Sequence, residues 1–220
     1  MINIAIDGPS GAGKSTIARE IARTLKIIYL DTGAMYRAMA YIALKKGIDI
    51  NDADMVEKML PDADIKIKYV LNEQKVYADG EDVTTKIREH HISKAASDIS
   101  KIPAVRLKLV QMQREIASSN DVVMDGRDIT SYVLPNAEYK FYLTASAEER
   151  ARRRQLELAE KGVHIDFYAL LDDINQRDRN DMERSFAPLV KTEDSIFIDS
   201  TQLNKEEVIN KILSYIRGKK

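Results

Sequence analysis

Short apolar segments alternate with longer amphipathic ones along this chain. The apolar segments are bounded by polar or turn residues and cover residues 2–7, 27–31, 121–125, 139–143 and 195–199. Strands that are apolar on both faces are typical of a parallel sheet covered by helices. Segments with helical spacing lie between them, beginning with residues 14–25. The pattern predicts an α/β fold, with a three-layer architecture around a five-stranded parallel sheet.

Residues 62–100 follow a different pattern. Apolar residues alternate with lysines from Ile65 to Tyr69, and the alternation resumes at Val76 after a turn near Asn72-Glu73. This period of two predicts a β-hairpin with one solvated face, which does not suit a buried parallel sheet. Helices are predicted next, over residues 84–100 and 103–117. We therefore expect a core formed by residues 1–61 and 101–220, and a small insert domain formed by residues 62–100.

Phosphate chemistry is indicated by the link between the first strand and the first helix. The link reads Gly8-Pro9-Ser10-Gly11-Ala12-Gly13-Lys14-Ser15 and fits the motif G-x-x-x-x-G-K-[ST]. In such a loop the glycines let backbone N–H groups turn towards phosphate oxygens, and the helix N-terminus adds partial positive charge. Lys14 is expected to reach the outer phosphates of ATP, and the Ser15 hydroxyl is expected to bind Mg²⁺.

Further candidate residues follow the ends of two strands, at the edge where open parallel sheets bind ligands. The second strand ends at Asp31, which with Thr32 is a candidate helix cap, and Tyr36 and Arg37 lie on the helix that follows. The third strand ends at Asp125. An apolar strand that ends in aspartate is typical of a carboxylate directed at Mg²⁺, here expected to act through water.

Composition narrows the range of functions. The chain has 220 residues, of which 44% are hydrophobic and 31% charged, with a net charge of −1 and no cysteine. Disulfides and thiolate metal sites are thereby excluded, and the charge balance argues against a general nucleic-acid binder. No segment approaches the length of a membrane span, and the N-terminus enters a strand without a basic and apolar leader. We expect a cytoplasmic monomer that binds neither nucleic acid nor membranes.

The class of phosphate enzyme follows by comparison of motifs. The GTPase motifs D-x-x-G and N-K-x-D are absent, since Asn204-Lys205 is followed by Glu206-Glu207, and the chain is short for a motor domain. A small-molecule kinase remains. Phosphoryl transfer requires arginines at the sheet edge, because guanidinium keeps its charge and meets phosphate oxygens two at a time. The candidates are Arg37, Arg127, Arg177 and Arg184.

Arginines are also concentrated in the helix predicted after Ser146-Ala147-Glu148-Glu149, which fits a capping box. Two interpretations are open for Arg150, Arg152, Arg153 and Arg154. They form either a solvated face or a flap that closes over ATP and excludes water. We favour the flap, and place a short helical lid at about residues 150–165.

Taken together, these motifs resemble those of the bacterial cytidylate kinases, a family of P-loop nucleoside monophosphate kinases. The resemblance extends nearly from end to end of the chain. The resemblance rests on residues 6–16, 30–38, 80–88, 95–106, 124–128, 177–189 and 198–201. The runs TGAMYR and GRD make it more specific than the phosphate-binding loop alone. It implies that ATP, with Mg²⁺ as cofactor, phosphorylates CMP and dCMP to CDP and dCDP in pyrimidine nucleotide metabolism. The hairpin insert would be the monophosphate-binding domain, and the arginine helix the lid.

The resemblance also implies roles for individual residues. Lys14, Arg127, Arg177 and Arg184 would act on the reacting phosphates. The ATP site would extend from Gly8 through Ser15 to Thr16 and include Arg153. The acceptor site would divide into three sets: Ser97, Arg106 and Asp128 for cytosine; Tyr36, Arg37, Arg127 and Arg184 for the phosphate; and Arg177 and Asp181 for the pentose hydroxyls. Carboxylate and guanidinium groups suit the amino donor and the ring acceptors of cytosine.

One stretch departs from the family pattern. Asp128 is followed by Ile129-Thr130-Ser131, where the family usually has Ile-Gly-Thr. Replacing the glycine adds a side chain and restricts the backbone. We expect this to alter base selectivity or the reaction rate, and to preserve the fold. Two alternatives therefore stay open: a kinase for another small acceptor, such as UMP, AMP or shikimate, and a regulator that binds nucleotide without turning it over.

Overall fold

The computed structural model describes residues 1–71, 73–160 and 162–218. The strands are β1 (Asn3–Asp7), β2 (Ile28–Asp31), β3 (Ile65–Val70), β4 (Glu73–Ala78), β5 (Glu81–Asp82), β6 (Val122–Gly126), β7 (Tyr139–Thr144) and β8 (Ile196–Asp199). The helices are α1 (Lys14–Leu25), α2 (Thr32–Lys45), α3 (Ala53–Met59), α4 (His90–Ile99), α5 (Pro103–Ser119), α6 (Ala147–Glu160), α7 (Phe167–Glu183) and α8 (Lys205–Gly218). Within these residues no helix is both long and apolar enough to cross a bilayer.

A sheet of five strands, in the order β2-β6-β1-β7-β8, forms the centre of the fold. β1 pairs in parallel with both β6 and β7, so that Ile6 lies beside Asp125 and Phe141. Ile4, Ala5 and Ile6 are fully buried. Each predicted strand of the sheet is present and begins within one residue of its expected start. The prediction of an α/β fold with a five-stranded parallel sheet is confirmed.

The chain divides into two compact units, which are described separately. One consists of Met1 with residues 28–121, and the other of residues 2–27 with residues 122–220. The predicted insert, residues 62–100, lies within the first unit, which extends further in both directions. The division into core, insert and lid stays a prediction, and the expected lid range includes Lys161, which lies outside the described residues.

The predicted hairpin is present in the first unit. β3 and β4 pair antiparallel, with Ile65 opposite Ala78 and Ile67 opposite Val76. These apolar side chains share one face of the hairpin, and Val76 and Ala78 are almost fully buried. Asn72, part of the predicted turn, lies outside the described residues.

The helix expected from residue 84 begins later, at His90. Thr84 is held to the hairpin, because its Oγ1 accepts the N–H of Val76 at 2.9 Å and its own N–H donates to Asp82 Oδ1 at 3.0 Å. A short 3₁₀ turn, Lys86–Arg88, separates it from α4. The prediction was wrong for these first residues, since side-chain hydrogen bonds of Thr and Asp compete with helix formation.

Polar side chains close two helix N-termini of the second unit. Asn204 and Glu207 form a reciprocal capping box: Asn204 Oδ1 accepts the Glu207 N–H at 3.0 Å, and Glu207 Oε2 accepts the Asn204 N–H at 2.7 Å. Ser146 Oγ accepts the Glu149 N–H at 3.2 Å, but the Glu149 carboxylate pairs with arginines of its own helix. The box at Asn204 is therefore complete, and the box predicted at Ser146 is half formed.

Replacing Asn204 with alanine should lower the free energy of unfolding by about 1 kcal/mol, because the first turn of α8 loses its acceptor. Urea-induced unfolding followed by circular dichroism measures this change. The exposed neighbour Gln202→Ala serves as the control and should have little effect. Equal losses in the two variants would contradict the capping role.

Candidate functional site

Two glycines set the course of the predicted phosphate-binding loop. Gly8 has a φ of 150°, and a Cβ at this position would lie 1.9 Å from the carbonyl oxygen of Leu143. Gly13 precedes α1 with a φ of 85°, in the left-handed region that favours glycine. α1 therefore begins at Lys14, immediately after the loop, and its N-terminal N–H groups are available to an anion.

Lys14 is nearly buried inside this loop. Its Nζ donates to the carbonyl oxygen of Pro9 at 2.7 Å. Burial and the neighbouring Arg127 guanidinium lower the pKa of Lys14 to about 7, although Asp125 and Asp181 act in the opposite direction. A polyphosphate beside Lys14 would place negative charge next to its ammonium group and favour the charged form. The geometry therefore suits the predicted contact with the outer phosphates.

A candidate metal position lies where α1 begins and β6 ends. The Ser15 hydroxyl donates to Asp125 Oδ2 at 2.8 Å. Both groups offer hard oxygen ligands of the kind that Mg²⁺ prefers. Among the described residues there is no group of three or more His, Cys, Asp or Glu side chains that could hold a metal ion. A Mg²⁺ ion here would therefore take its remaining ligands from phosphate and water oxygens.

The predicted arginines of the second unit gather around Asp181. Arg127 Nε lies 2.6 Å from Asp181 Oδ2, and Arg184 NH1 lies 3.6 Å from Asp181 Oδ1. Arg184 also reaches towards Asp128, with 3.7 Å between NH2 and Oδ1. Arg177 lies near enough to Arg127 and Asp181 for the charges of both to affect its pKa. We call Arg127, Arg177 and Arg184 the arginine cluster.

Charges in the arginine cluster are only partly balanced. Burial disfavours the charged form of Asp181, yet Arg127 and Arg184 hold the pKa of this carboxyl below its usual value. Burial also opposes the charge of Arg127, but Asp181 raises the pKa of that guanidinium. The pKa of Arg177 is lowered, first by burial and then by the charge of Arg127. An added phosphate would relieve this repulsion, so the cluster favours an anion.

In the first unit, Asp31 organises residues expected to contact the acceptor phosphate. Its Oδ1 caps α2 by accepting the Ala34 N–H at 2.8 Å, which confirms the predicted cap. Its Oδ2 lies 2.9 Å from Arg37 NH2 and 3.2 Å from Arg88 NH2. Arg37 is therefore part of a shared ion pair and is not an isolated surface charge. Arg88 was missed in the sequence, because its 3₁₀ turn gave no periodic signal.

Tyr36 and Arg106 also lie together in the first unit. The Arg106 guanidinium carbon is 5.2 Å from the centre of the Tyr36 ring, a cation–π contact. Arg106 is only 1% exposed and its NH1 donates to the Ser100 carbonyl oxygen at 3.2 Å. Ser97 is half-buried on α4, one turn before Ser100. The roles expected for these side chains stay predictions.

The arginines of α6 are engaged in specific contacts. Arg150 is buried, lies 2.7 Å from Asp178, and donates to the Ser10 carbonyl oxygen at 2.7 Å. The interpretation as a solvated face is therefore wrong for Arg150. Arg153 pairs with Glu149 at 3.0 Å and donates to the Ser200 carbonyl oxygen at 2.7 Å. The closing flap, and the ATP contact of Arg153, stay predictions.

Asp7, the last residue of β1, is a second group that sequence reasoning missed. It is fully buried. Its Oδ1 accepts the Ile129 N–H at 2.9 Å, and its Oδ2 accepts both the Thr130 N–H and the Thr130 hydroxyl at 2.7 Å. These bonds fix the turn of π-helix, Ile129–Val133, that directly follows Arg127 and Asp128.

These contacts explain the departure from the family pattern at Thr130. Its φ is not positive, so the backbone does not require glycine here, and its hydroxyl binds the buried Asp7 carboxylate. The one charged residue in an otherwise apolar strand was the signal for Asp7, because a buried charge requires partners. The sequence did not show which residues those partners are.

Proteins of similar sequence match nearly the whole chain. The model of the cytidylate kinase family matches residues 4–218. A cytidylate kinase of Caldicellulosiruptor bescii is 57% identical over 212 residues, which cover 96% of this chain and 94% of that protein. A cytidylate kinase of Alkaliphilus oremlandii is 48% identical, with coverage of 99% and 98%.

Solved structures with low sequence identity share the fold. An uncharacterized protein from Eubacterium ventriosum superposes with a TM-score of 0.56 at 14% identity, covering 99% of both chains. Shikimate kinase from Bacteroides thetaiotaomicron has a TM-score of 0.50 at 15% identity, covering 98% of both chains. At these identities the likeness concerns the fold alone.

The burial of Asp7 leads us to predict that the free energy of unfolding depends on pH. Burial, reinforced by the charge of Asp128, raises the pKa of Asp7 from 3.8 to about 6. The folded state therefore holds this proton more tightly than the unfolded state. The stability that this group contributes is present in acid and is lost as the pH rises through about 6. The loss should amount to about 3 kcal/mol over the whole titration, of which about 2 kcal/mol falls above pH 4.5.

Chemical unfolding of the wild type and of Asp7→Asn, measured between pH 4.5 and 7.5, tests this. The difference in unfolding free energy between the two should fall as the pH rises, because only the wild type has the titrating group. Asp54→Asn, an exposed carboxylate on α3, is the control and should track the wild type. Parallel curves for the wild type and Asp7→Asn would contradict the assignment.

Proposed function

This chain belongs to the cytidylate kinase family, and we propose that it transfers the γ-phosphoryl group of ATP to CMP and dCMP, forming CDP and dCDP for pyrimidine nucleotide metabolism. The observation that carries the proposal is the grouping of the buried Lys14 with the half-buried Arg127 and Arg184 around Asp181. The reaction brings two anionic phosphates together. Fixed cations in a partly buried site lower the repulsion between those phosphates.

In this proposal the protein acts by binding and orienting both phosphates. Lys14 and the backbone N–H groups of the loop hold the outer phosphates of ATP. Arg127 and Arg184 hold the acceptor phosphate, and Arg177 stabilises the group in transfer. The attacking phosphate oxygen is already largely ionised near neutral pH, so neither a general base nor a covalent intermediate is needed. Arg127 and Arg184 would each exchange the Asp181 carboxylate for a phosphate oxygen when substrate binds.

Mg²⁺ fits the same site. We expect the Ser15 hydroxyl to hold it, with Asp125 acting through water, and the contact of 2.8 Å between these two side chains supports that pairing. When bound, the ion neutralises the β- and γ-phosphates of ATP. Lys14 and the loop remain responsible for orienting the nucleotide.

Recognition of the acceptor is proposed for residues of both units, each taken by itself. In the second unit, Asp128 would accept the amino group of cytosine, while Arg177 and Asp181 would bind the pentose hydroxyls. In the first unit, Arg106 and Ser97 would serve the remaining polar atoms of the base, while Tyr36 and Arg37 would bind the phosphate. A site of this kind rejects other bases, because a wrong base leaves buried polar groups without partners.

We further propose that the enzyme works as a monomer in the cytoplasm. The absence of cysteine suits a reducing compartment such as the cytoplasm, and the net charge of −1 gives no overall basic surplus for nucleic acid or anionic lipid.

An acceptor panel tests the proposal. Purified protein with ATP and Mg²⁺ is offered CMP, dCMP, UMP, AMP or shikimate, and ADP release is measured. CMP and dCMP should be used best. Lys14→Ala should lower turnover by about 10³-fold or more, because a charge clamp on the reacting phosphates is lost. The exposed Lys211→Ala is the matched control and should retain activity.

Other outcomes of the acceptor panel would indicate other functions. Preference for another acceptor would make the protein a kinase for that acceptor. Binding of ATP in a calorimeter without any ADP release would make it a nucleotide-dependent regulator. Normal turnover in Lys14→Ala would refute the assignment of the loop.

Asp181→Ala should penalise CMP and dCMP unequally. Both substrates should suffer from the loss of the partner of Arg127 and Arg184. Only CMP has the 2′-hydroxyl, so the ratio of kcat/KM for CMP to that for dCMP should change by about three- to tenfold, the worth of one hydrogen bond. Glu183→Ala, exposed at the end of the same helix, is the control. An unchanged ratio would remove Asp181 from the sugar site.

A further inference from the structure

Two buried side chains hold both backbone polar groups of Ser10 in the phosphate-binding loop. The Ser10 N–H donates to Asp178 Oδ1 at 3.1 Å, and the Ser10 carbonyl oxygen accepts from Arg150 NH1 at 2.7 Å. The same Arg150 NH1 lies 2.7 Å from Asp178 Oδ2. The three residues therefore form a closed ring of contacts, which we call the Ser10 clamp.

The clamp is built from charges that have little access to water. Arg150 is 5% exposed and Asp178 is 8% exposed. Arg150 Nε donates in addition to the carbonyl oxygen of Ala145 at 2.9 Å, which fixes the guanidinium at the start of α6. A buried ion pair gains little net stability over an apolar pair of the same size. A purely structural role therefore gives little reason for placing charges here.

The loop also packs directly against Arg150. A Cβ at Gly11 would lie 3.2 Å from the Cβ of Arg150, so the backbone of the loop approaches α6 closely. While the Ser10 N–H points at the Asp178 carboxylate, it is not available to a phosphate. The contribution of Ser10 to ATP binding would then be to hold the shape of the loop, and phosphate contacts would fall to residues further along it.

We propose that Arg150 and Asp178 are positioning residues, which hold the loop in the conformation that binds ATP and tie it to α7. The proposal rests on the proposed function for the identity of the nucleotide. Asp178 lies directly after Arg177 and one turn before Asp181, the residues expected to meet the acceptor. One helix thus carries both the clamp on the ATP loop and the acceptor contacts, so a shift of α7 is transmitted to the loop.

Calorimetric titration with ATP and Mg²⁺, in the absence of any acceptor, tests the clamp. Asp178→Ala should weaken ATP binding about tenfold, since the loop loses an acceptor for Ser10 and Arg150 loses its partner. Asp178→Asn keeps an oxygen for the Ser10 N–H and should stay within about threefold of the wild type. The control is Asp172→Ala, an exposed carboxylate on the same helix.

A merely structural pair predicts a different outcome. It would lower the melting temperature of Asp178→Ala, while the folded variant, studied well below that temperature, would bind ATP as tightly as the wild type. ATP affinity within twofold of the wild type in folded Asp178→Ala therefore overturns the proposal. So does a loss in Asp178→Asn as large as that in Asp178→Ala.

Hydrogen exchange of the Ser10 amide keeps the proposal testable if Asp178→Ala does not fold. In the nucleotide-free wild type this amide should exchange at least tenfold more slowly than an unprotected amide, and Arg150→Lys should speed its exchange. Exchange at the unprotected rate in the wild type would overturn the proposal. ATP binding is measured without acceptor, so a protein that binds ATP but fails to phosphorylate CMP refutes the proposed function and leaves the clamp intact.

Discussion

The structure of the second unit depends on one electrostatic constraint: several buried or half-buried cationic side chains lie close together and must be balanced by anionic groups. Lys14, Arg127, Arg150 and Arg184 are all held by carboxylates or carbonyl oxygens. An uncompensated buried charge costs several kcal/mol. The carboxylates are therefore as necessary to the fold as the cations, since they balance charges that would otherwise be buried without partners.

The fold supplies those carboxylates from a small number of places. Asp7 and Asp125 come from the ends of neighbouring parallel strands, and Asp178 and Asp181 come from one face of α7. Spacing of three residues on a helix brings two side chains to the same face. A strand edge and a single helix face thus deliver much of the negative charge around the cations, and Asp128 adds a further carboxylate beside Arg184. The arrangement explains why α7 ends in a run so dense in charged residues.

Local features of the structure were easier to predict from the sequence than hydrogen bonds and ion pairs between residues far apart in the chain. Five apolar strands and the phosphate-binding loop were predicted because burial and loop geometry leave a signal within a few residues. The bonds from Asp7 to Thr130 and from Ser10 to Asp178 join positions 123 and 168 residues apart, and no local pattern reports such partners. The partners of Arg150 were not predictable for the same reason, since Ser10 and Asp178 lie 140 and 28 residues away from it in the chain. Thr84 shows the opposite error, in which a helical pattern was overruled by two side-chain hydrogen bonds.

The hairpin has one more consequence, which concerns β2, the last strand at its side of the sheet. Within the first unit, the Tyr69 hydroxyl donates to the Tyr29 carbonyl oxygen at 3.1 Å. The amide of Gln74 takes both backbone groups of Asp31, accepting its N–H at 2.7 Å and donating to its carbonyl oxygen at 3.3 Å. Side chains thus occupy positions where a foreign strand would dock. An edge strand with unpaired backbone groups promotes aggregation between molecules. The hairpin covers this edge with the phenol of Tyr69 and the carboxamide of Gln74.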